Sequence, residues 1–560
     1  MALKLTAEHQ RILDIFSGTT QYIIPAYQRS YSWEEEQCLE LLEDLKEAYK
    51  NNKKQKENKK EGYFLGNIVT AKSTESGDLE EVIDGQQRLT TLTLLIYVLL
   101  FFDKDNKHLL DAITIPAGSR RELPKPRLKT NMFIEKDARS LNEALKLNFD
   151  NIDVCKIGKR DSQYKKNICY FYQEIQKISE DKDIDIFDFI DFLLFDVSIL
   201  PIKTEDTTPD NAREKALKIF ETINNRGLSL ADSDIFKAKL YALALSESKA
   251  DNFIKEWKEL EEQSKELDKP QGGKYSINDI FRFYTQIIRG QEGILTSERG
   301  LREFFTQKTY SPFKTKTSED VMSDLFKIVS IVRFFREVIE NPNKYEELTK
   351  WFQLLEQYSN QYPLNALVVY LYVHGIDMNS EQLELFARNL VRYSFYHGVT
   401  TKVKFPLFSF IAKVVKEKET TFRLPFIEKN QKDLLYFGQL KKGFTLLAFY
   451  LNNEQKAIYP NYFNKIINSR DVKTLNPTWS GIELTYTDYS DTLGNMIIID
   501  KNISRDVKLL KKEEYLKDSS IVEIKELANK LNHWRYEDYQ NREISLKNRL
   551  IKFFKKTDDN

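Results

Sequence analysis

The sequence predicts an α+β chain in which helices predominate, and three observations carry this prediction. Glycine (19 of 560 residues) and proline (14) occur at about half their usual shares of about 7% and 5%, which favours long regular elements over a turn-rich sandwich or barrel. Short strand-like runs alternate with helical patterns early in the chain, and helical periodicity dominates afterwards. Hydrophobic residues make up 41% of the chain, which is enough for a large core.

Sequence texture divides the chain into three predicted domains. Residues 1–245 combine strand-like runs with helical patterns, and residues 246–433 have helical spacing almost throughout. Residues 434–560 predict a smaller mixed module. The predicted strands are Tyr63–Ala71, Leu79–Asp84, Asp196–Ile202 and Met496–Asp500, and the predicted closing helices are Lys511–Leu531 and Tyr536–Phe554.

The charge balance excludes steering by a global field. Lys plus Arg (85) equal Asp plus Glu (85), so any polyanion such as DNA is expected to meet a local basic patch. Two basic stretches are candidates for such a patch: Ser119–Lys129, which has two prolines and is predicted to be an exposed loop, and the segment from Lys501 onward.

The cysteines and the hydropathy pattern predict a cytoplasmic protein without a membrane partner. Cys38, Cys155 and Cys169 form no CxxC pair and are odd in number, which is typical of a reducing compartment. The most apolar run, Leu92–Phe102, is too short to span a bilayer and predicts a buried helix. The first twenty residues lack the uninterrupted apolar core of a signal peptide.

The first motif that suggests chemistry is IPAYQRSYSW at residues 24–33. Ser32 and Glu35 predict a capping box that starts a helix. An aromatic face can hold a flat base, and an arginine fork can hold a phosphate. Four loop residues are therefore candidates for nucleotide contact: Tyr27, Gln28, Arg29 and Tyr31. An aromatic-rich turn that only pins the helix is an equally open interpretation.

The second motif, VIDGQQRLTTL at residues 82–92, predicts a strand that turns directly into a helix. Asp84 ends the strand, Gly85 frees the backbone to turn, and a helix N-terminus is a ready anion site. Capping rules favour an acidic residue in a first turn, so Arg88 there suggests an anion between the cation and the dipole. Asp84 is either a plain N-cap or a ligand of Mg²⁺ that bridges phosphates. The sequence contains no GxxxxGK loop.

The third motif is FETINNRGLSLADSDIFKAKL at residues 220–240. Gly227 is suited to a helix C-terminus, and either Ser229 or Asp232 is suited to cap the next helix. Capping does not account for Asn224 and Arg226, which could contact a ribose or a phosphate at this corner.

Together, these motifs resemble the N-terminal domain of the GmrSD-type restriction endonuclease family. The matching blocks are IPAYQRSYSW, the FLG of residues 64–66, VIDGQQRLTTL and FETINNRGLSLADSDIFK, in the family's order over about 230 residues. The resemblance implies a ParB/sulfiredoxin-like fold, binding and hydrolysis of a nucleoside triphosphate with Mg²⁺, and a role in defence against foreign or modified DNA.

The resemblance also implies a role for each matching residue. The hydrolytic and phosphate-binding residues would be Asp84, Gln86, Gln87 and Arg88, with Asp84 as the Mg²⁺ contact. The nucleotide-binding residues would be Tyr27, Gln28, Arg29, Tyr31, Gly85, Thr90, Asn224, Arg226, Gly227 and Asp232.

The C-terminal module resembles the small ββα HNH nuclease domain that often accompanies this family, in a degenerate form. LGNMIIIDKNIS at residues 493–504 supplies the matching Asn495 and Asn502. Lys473 and Thr474 stand where the family has an acidic residue and the histidine that activates water. The sequence therefore predicts that nuclease activity is impaired.

The sequence alone leaves three functions open. The chain could be a nucleoside triphosphatase that acts on DNA. It could be a subunit that senses a nucleotide or modified DNA without turnover and works with a partner nuclease or a second copy of the chain. It could also be an active endonuclease with a non-standard site.

Overall fold

The protein was analysed as a computed structural model of all 560 residues. The structure describes residues 5–555 with internal gaps. The residues outside the described part are 1–4, 26, 29, 55–61, 74–76, 118–122, 131–134, 151, 159, 210, 214, 217–218, 220–231, 270–272, 307–310, 399–400, 423–436, 459–461, 466–491, 500–516, 518, 531–535 and 556–560. The chain forms two compact units, Met1–Trp257 and Lys258–Asn560.

The first unit is built on a mixed sheet. Its strands are β1 (Leu5–Ala7), β2 (Gln10–Arg11), β3 (Gln21–Ile24), β4 (Tyr63–Ser73), β5 (Leu79–Asp84), β8 (Leu128–Thr130) and β9 (Val197–Asp206), with β6 (Thr114–Ile115) and β7 (Lys125–Pro126) as a separate pair. The order is β1-β9-β4-β5-β3-β8, and β2 also pairs with β9. Strands β3, β5 and β8 run parallel to one another and antiparallel to β4. The three strands predicted in this region are confirmed, with β4 and β9 extending beyond the predicted ends.

Helices pack around this sheet in the first unit. They are α1 (Ile12–Ile15), α2 (Glu35–Lys54), α3 (Gln86–Phe102), α4 (Lys107–Ile113), α5 (Glu135–Ala144), α6 (Gln163–Ser179), α7 (Ile186–Asp191), α8 (Asp232–Ser246) and the beginning of α9 (Ala250–Glu266), with a 3-10 turn at Ile152–Cys155 and a π turn at Phe192–Asp196. Helix α3 is apolar almost all round because it packs against both α4 and α6 within the core. The predicted buried helix over Leu92–Phe102 is thereby confirmed.

The turn from β5 into α3 depends on a glycine. Gly85 has φ +84° and ψ 10°, in the left-handed region, and is the residue directly before α3. A Cβ at this position would lie 2.6 Å from Cγ2 of Ile68, so a side chain is excluded by contact as well as by conformation. The turn predicted from Gly85 is confirmed, and it brings α3 onto the end of the strand.

The predicted capping box at Ser32 is wrong. Helix α2 begins at Glu35, and the Glu34 amide donates to Oε1 of Gln37 at 2.8 Å. The Ser32 amide instead donates to Oε1 of Gln87 at 2.8 Å. The contact with Gln87 thus occupies the Ser32 amide, which in a capping box would have bonded to the side chain of Glu35.

The stretch Ser119–Lys129 is not simply an exposed loop. Its second half contains β7 and the start of β8, and Arg127 between them is fully buried. The Arg127 guanidinium donates to backbone carbonyls at 2.6–3.2 Å, namely those of Ser17, Gly18, Thr20 and Asp111. Carbonyl oxygens that replace water explain how this charge is tolerated in the interior.

The second unit is mainly helical, as predicted for the middle of the chain. Its helices are the end of α9, α10 (Ile277–Glu292), α11 (Leu301–Thr306), α12 (Ser318–Glu340), α13 (Glu346–Glu356), α14 (Tyr362–His374), α15 (Ser380–His397), α16 (Thr401–Glu417), α17 (Phe437–Tyr450), α18 (Val522–Ala528) and α19 (Tyr536–Lys555), with a 3-10 turn at Pro312–Lys314. Strands β10 (Tyr462–Lys465) and β11 (Met496–Ile499) pair antiparallel. Within the described residues, no helix has both the length and the apolarity to cross a bilayer.

The closing elements agree only partly with their predictions. The strand predicted at Met496–Asp500 and the last helix are present. The first closing helix, predicted from Lys511, is described only over Val522–Ala528, where Oε1 of Gln455 accepts from the Val522 amide at 2.9 Å. A distant glutamine thus occupies the helix start, which the local pattern could not show.

We predict that Gly85→Ala destabilises the first unit more than Gly77→Ala. Both glycines have positive φ, which costs an L-residue about 1–2 kcal/mol, but a Cβ on Gly77 would meet no atom within 4 Å. At Gly85 the contact with Ile68 adds about 1–3 kcal/mol of overpacking. Native-state hydrogen exchange of the α3 amides measures the difference, and equal protection in the two variants would contradict it.

Candidate functional site

Three of the four sequence motifs meet at one edge of the sheet. Strand β3 ends at Ile24, where the first motif begins, and the parallel strand β5 ends at Asp84. Because β4 runs antiparallel to β5, its beginning, with the FLG motif, lies at the same edge. The order of the strands therefore brings together segments that begin at residues 24, 64 and 82.

Arg88 lies at the centre of this edge. Its Nη1 donates to the carbonyl of Asn67 at 2.8 Å. A Cβ on Gly66 would lie 3.3 Å from the guanidinium carbon, and Gly66 has φ +107°. The pairing of β4 with β9 shifts register between Phe64 and Asn67, so the arginine rests on a β-bulge made possible by Gly66.

The charge of Arg88 is only partly solvated. Burial lowers the pKa of the Arg88 guanidinium, and the nearby Asp84 carboxylate opposes this change. The guanidinium stays charged, because arginine does not lose its proton in proteins. A half-buried cation beside the N-terminus of a 17-residue helix is a favourable place for an anion.

Gln87 uses its side chain to hold the first motif. Its Oε1 accepts from the amides of Ser32 at 2.8 Å and Trp33 at 3.2 Å, and its Nε2 donates to the carbonyl of Ser30 at 3.3 Å. Both ends of the amide therefore have protein partners. The structure gives Gln87 a positioning role, and its predicted part in hydrolysis stays a prediction.

Gln28 ties the same loop to the sheet. Its Nε2 donates to the carbonyl of Ile83 at 2.9 Å, one residue before the end of β5. Gln86 and Thr90 are buried in the first turns of α3, with exposed fractions of 7% and 1%. Arg29, the loop's predicted phosphate contact, lies outside the described residues.

Tyr27 packs against α8 and is buried there. Its ring lies 5.2 Å from that of Tyr241 between centroids, and the guanidinium carbon of Arg213 lies 5.8 Å from its centre. Burial strongly raises the pKa of the Tyr27 phenol. The hydroxyl makes no hydrogen bond of normal geometry with the described residues, although Arg213 lies beside it. Arg213 in turn binds Glu81 through two bonds of 2.7 and 2.6 Å.

Tyr31 is a buried residue of the main core. Its ring stacks on Tyr164 at 4.9 Å, and only 7% of the residue is exposed. Its hydroxyl lies 2.7 Å from Oγ1 of Thr91 and accepts from Nδ2 of Asn167 at 2.9 Å. The structure therefore gives Tyr31 a packing role, and its predicted contact with a base stays a prediction.

The third motif is mostly outside the described residues, which leaves Asn224, Arg226 and Gly227 as predictions. Asp232 is described, and it begins α8 as an acidic residue in the first turn, where the helix dipole favours it. Helix α8 reaches the first motif through the contact of Tyr241 with Tyr27.

Comparison with protein families gives a match for the part of the chain that forms this edge. Residues 12–241 match the family model described as GmrSD restriction endonuclease, N-terminal domain. The chain contains a GmrSD N-terminal domain. The matched range runs from α1 through most of α8 and includes all four motifs, which confirms the family predicted from them. Comparison with curated proteins gave no match.

Sequence reasoning missed several residues that organise the GmrSD N-terminal domain. Asn167 and the pair of Arg213 with Glu81 lie outside the motifs, and Thr91 lies inside the second motif but was not singled out. The partners of all these residues are distant in sequence. One local signal existed for Glu81: it is one of two glutamates, Glu80 and Glu81, between the apolar Leu79 and Val82 of a central strand. Such a residue needs a partner when it is covered.

The described residues of the GmrSD domain do not form a protein-only cage for a metal ion. Among the described residues, no group of three or more His, Cys, Asp or Glu side chains is arranged to hold a metal ion. Asp84, at the end of β5, is the described residue predicted to contact Mg²⁺. A metal at this edge would therefore need oxygen ligands from a bound phosphate.

The predicted nuclease residues outside the GmrSD domain are only partly described. Asn495 is buried, with 1% exposed, in the turn before β11. Arg542 of α19 holds this turn by donating to the carbonyls of Leu493, Gly494 and Met496 at 2.6–3.1 Å. Lys473, Thr474 and Asn502 lie outside the described residues, so the HNH-like module stays a prediction.

We predict that Gln87→Leu loosens the first motif of the GmrSD domain. The change leaves the Ser32 and Trp33 amides without their acceptor, at a cost of about 1–3 kcal/mol for each group that stays buried. Faster hydrogen exchange at these two amides is the expected result. Gln176→Leu, at an exposed position of α6, should leave their exchange unchanged. Unchanged exchange in Gln87→Leu would contradict the assignment.

Proposed function

We propose that the protein is a restriction-type defence protein whose GmrSD domain binds a nucleoside triphosphate with Mg²⁺, hydrolyses it, and thereby acts on foreign or modified DNA. The observation that carries the proposal is Arg88. It lies in the first turn of α3, where a cation is unfavourable to the helix dipole, and its guanidinium is partly desolvated against Gly66.

An anion at this edge would resolve both costs. It would accept hydrogen bonds from the guanidinium and from the amides at the start of α3, and it would place a negative charge between two positive ends. Phosphate oxygens have this charge and geometry. The bulge at Gly66 leaves room for the Arg88 guanidinium, since no side chain extends from this position.

The residues fit a magnesium ion bound through the nucleotide. Mg²⁺ is usually held by one or two carboxylates together with substrate phosphates, and Asp84 is a half-buried carboxylate near Arg88. When bound, Mg²⁺ would neutralise charge that develops on the phosphate oxygens during hydrolysis. Asp84 would orient this ion, and Arg88 would hold the phosphate in place.

We expect the proposed DNA partner to contact a local basic surface of the protein. The net charge is zero, so long-range attraction of DNA is weak. Of the two basic stretches, the described end of the first includes Lys125 and Lys129 beside the buried Arg127. The proposal that DNA is the target comes from the restriction endonuclease family.

We predict that Arg88→Ala reduces phosphate release by tenfold or more. Loss of a hydrogen bond to a charged group costs about 1.5–3 kcal/mol, which corresponds to about a tenfold loss or more. Release is measured with each of the four triphosphates, with and without modified DNA. Arg11→Ala is the control, because Arg11 is an exposed cation of the same unit that pairs with Asp14.

Arg88→Lys separates charge from shape. It keeps the cation but loses the planar fork, so we expect partial activity. If wild-type protein releases no phosphate under any condition but binds a triphosphate, the site senses a nucleotide without turnover. If neither binding nor release occurs, or if Arg88→Ala behaves as Arg11→Ala does, the proposal is wrong.

We predict that Asp84→Asn raises the Mg²⁺ concentration needed for half-maximal phosphate release. The amide keeps the shape of the side chain but supplies a weaker ligand for a hard cation. The control is Asp78→Asn, because Asp78 precedes the other end of β5 and is 60% exposed beside Lys72. An unchanged Mg²⁺ requirement in Asp84→Asn would assign the metal to other residues.

A further inference from the structure

A directed chain of hydrogen bonds connects α6 with the first turns of α3. Nε2 of Gln163 donates to Oδ1 of Asn167 at 2.9 Å, and Nδ2 of Asn167 donates to the Tyr31 hydroxyl at 2.9 Å. The Thr91 hydroxyl donates to the carbonyl of Gln87 at 2.8 Å. Its oxygen is then the acceptor for the Tyr31 hydroxyl at 2.7 Å. This series of hydrogen bonds ends at the carbonyl of Gln87, the residue before Arg88.

The same residues also hold the backbone of the first motif. Nδ2 of Asn167 donates to the carbonyl of Trp33 at 2.7 Å, in addition to the Tyr31 hydroxyl. Gln87 holds residues 30, 32 and 33 from the side of α3. The segment 30–33 is therefore fixed between two helices by side-chain amides and hydroxyls.

Beyond Gln163, the side chains of this hydrogen-bond network are deeply buried, so a shift of any of them would leave a polar group unpaired. The exposed fractions are 7% for Tyr31, 0% for Thr91 and 1% for Asn167. Packing alone would be served as well by apolar side chains, since a buried polar group gains little net stability even when it is satisfied. A fully satisfied buried network instead selects one arrangement of its parts, because any shift leaves a donor or an acceptor unpaired.

We propose that Asn167 and Thr91 are positioning residues of the site at Arg88. Through Tyr31 they hold the first motif in register with the first turn of α3, so that the loop and Arg88 meet a ligand together. The inference rests on the proposed function, since it assumes a nucleotide at this edge. Asn167 lies outside all four motifs, and its assignment comes from the geometry alone.

The protein offers a matched pair of variants for the test. Thr91 and Thr93 are both buried in α3, and each hydroxyl donates to the carbonyl four residues earlier at 2.8 Å. Thr91 also contacts the Tyr31 hydroxyl of the first motif. Thr91→Val and Thr93→Val therefore each remove one hydrogen bond to the helix backbone with little change of shape. Only Thr91→Val also removes the hydrogen bond to Tyr31.

We expect Thr91→Val to raise the Kd for the triphosphate, and the KM where turnover occurs, by about fivefold, which corresponds to about 1 kcal/mol for one lost hydrogen bond. The kcat should change by less than about twofold, because Arg88 and Asp84 keep their own contacts. Thr93→Val should leave Kd and KM within about twofold of wild type. Thr91→Ser, which keeps the hydroxyl, should restore most of the affinity.

Asn167→Leu and hydrogen exchange complete the experiment on the full-length protein. Asn167→Leu should raise Kd like Thr91→Val, and both should speed exchange at the Trp33 amide while Thr93→Val does not. The inference is overturned if wild type binds nucleotide and Thr91→Val matches Thr93→Val in Kd, or if Thr91→Ser fails to restore binding. If wild type binds no triphosphate, the proposed function falls, and this inference falls with it.

Discussion

Two glycines determine the geometry where β5 turns into α3. Gly85 leaves room for Ile68, and Gly66 leaves room for the guanidinium of Arg88. A side chain on Gly85 would lie 2.6 Å from Ile68, and one on Gly66 would lie 3.3 Å from the Arg88 guanidinium. These approaches bring the helix N-terminus onto the end of the sheet and hold its arginine against the bulged strand. Everything proposed for the site depends on this closeness, since a displaced α3 would separate Arg88 from Asp84.

The side chains at the site have two different roles: some hold the protein's own backbone in place, and others are charged and are proposed to bind the ligand. The side-chain amides of Gln28 and Gln87 form hydrogen bonds with backbone groups of the domain. Tyr31 belongs to a buried hydrogen-bond network. Arg88 and Asp84 are charged and half-buried at the same edge, and they are the residues proposed to contact the ligand. Several residues of a sequence motif can therefore be required by the architecture that surrounds a site, while few of its members contact the ligand.

Local patterns predicted the features that local interactions decide. The short strand-like run and Gly85 were enough to predict the strand Leu79–Asp84, the turn and the start of α3. The cation in the first turn could be singled out, because its conflict with the helix dipole is local too. Long-range partners were not predictable: Asn167 is 136 residues from Tyr31, and Arg127 is buried only because carbonyls from distant segments surround it. The failed capping box at Ser32 has the same cause, since Gln87 takes its amide.

The central claim is that one edge of the GmrSD domain holds the phosphates of a nucleotide between Arg88 and the first turn of α3. Its most direct test is an experimental structure of the full-length protein with a non-hydrolysable triphosphate and Mg²⁺. The account predicts a phosphate oxygen within hydrogen-bond distance of the Arg88 guanidinium and of an amide at the start of α3, with Asp84 facing the metal. The account would be contradicted by a nucleotide bound elsewhere on the chain, with the Arg88 guanidinium hydrogen-bonded to the Asn67 carbonyl and to no phosphate oxygen.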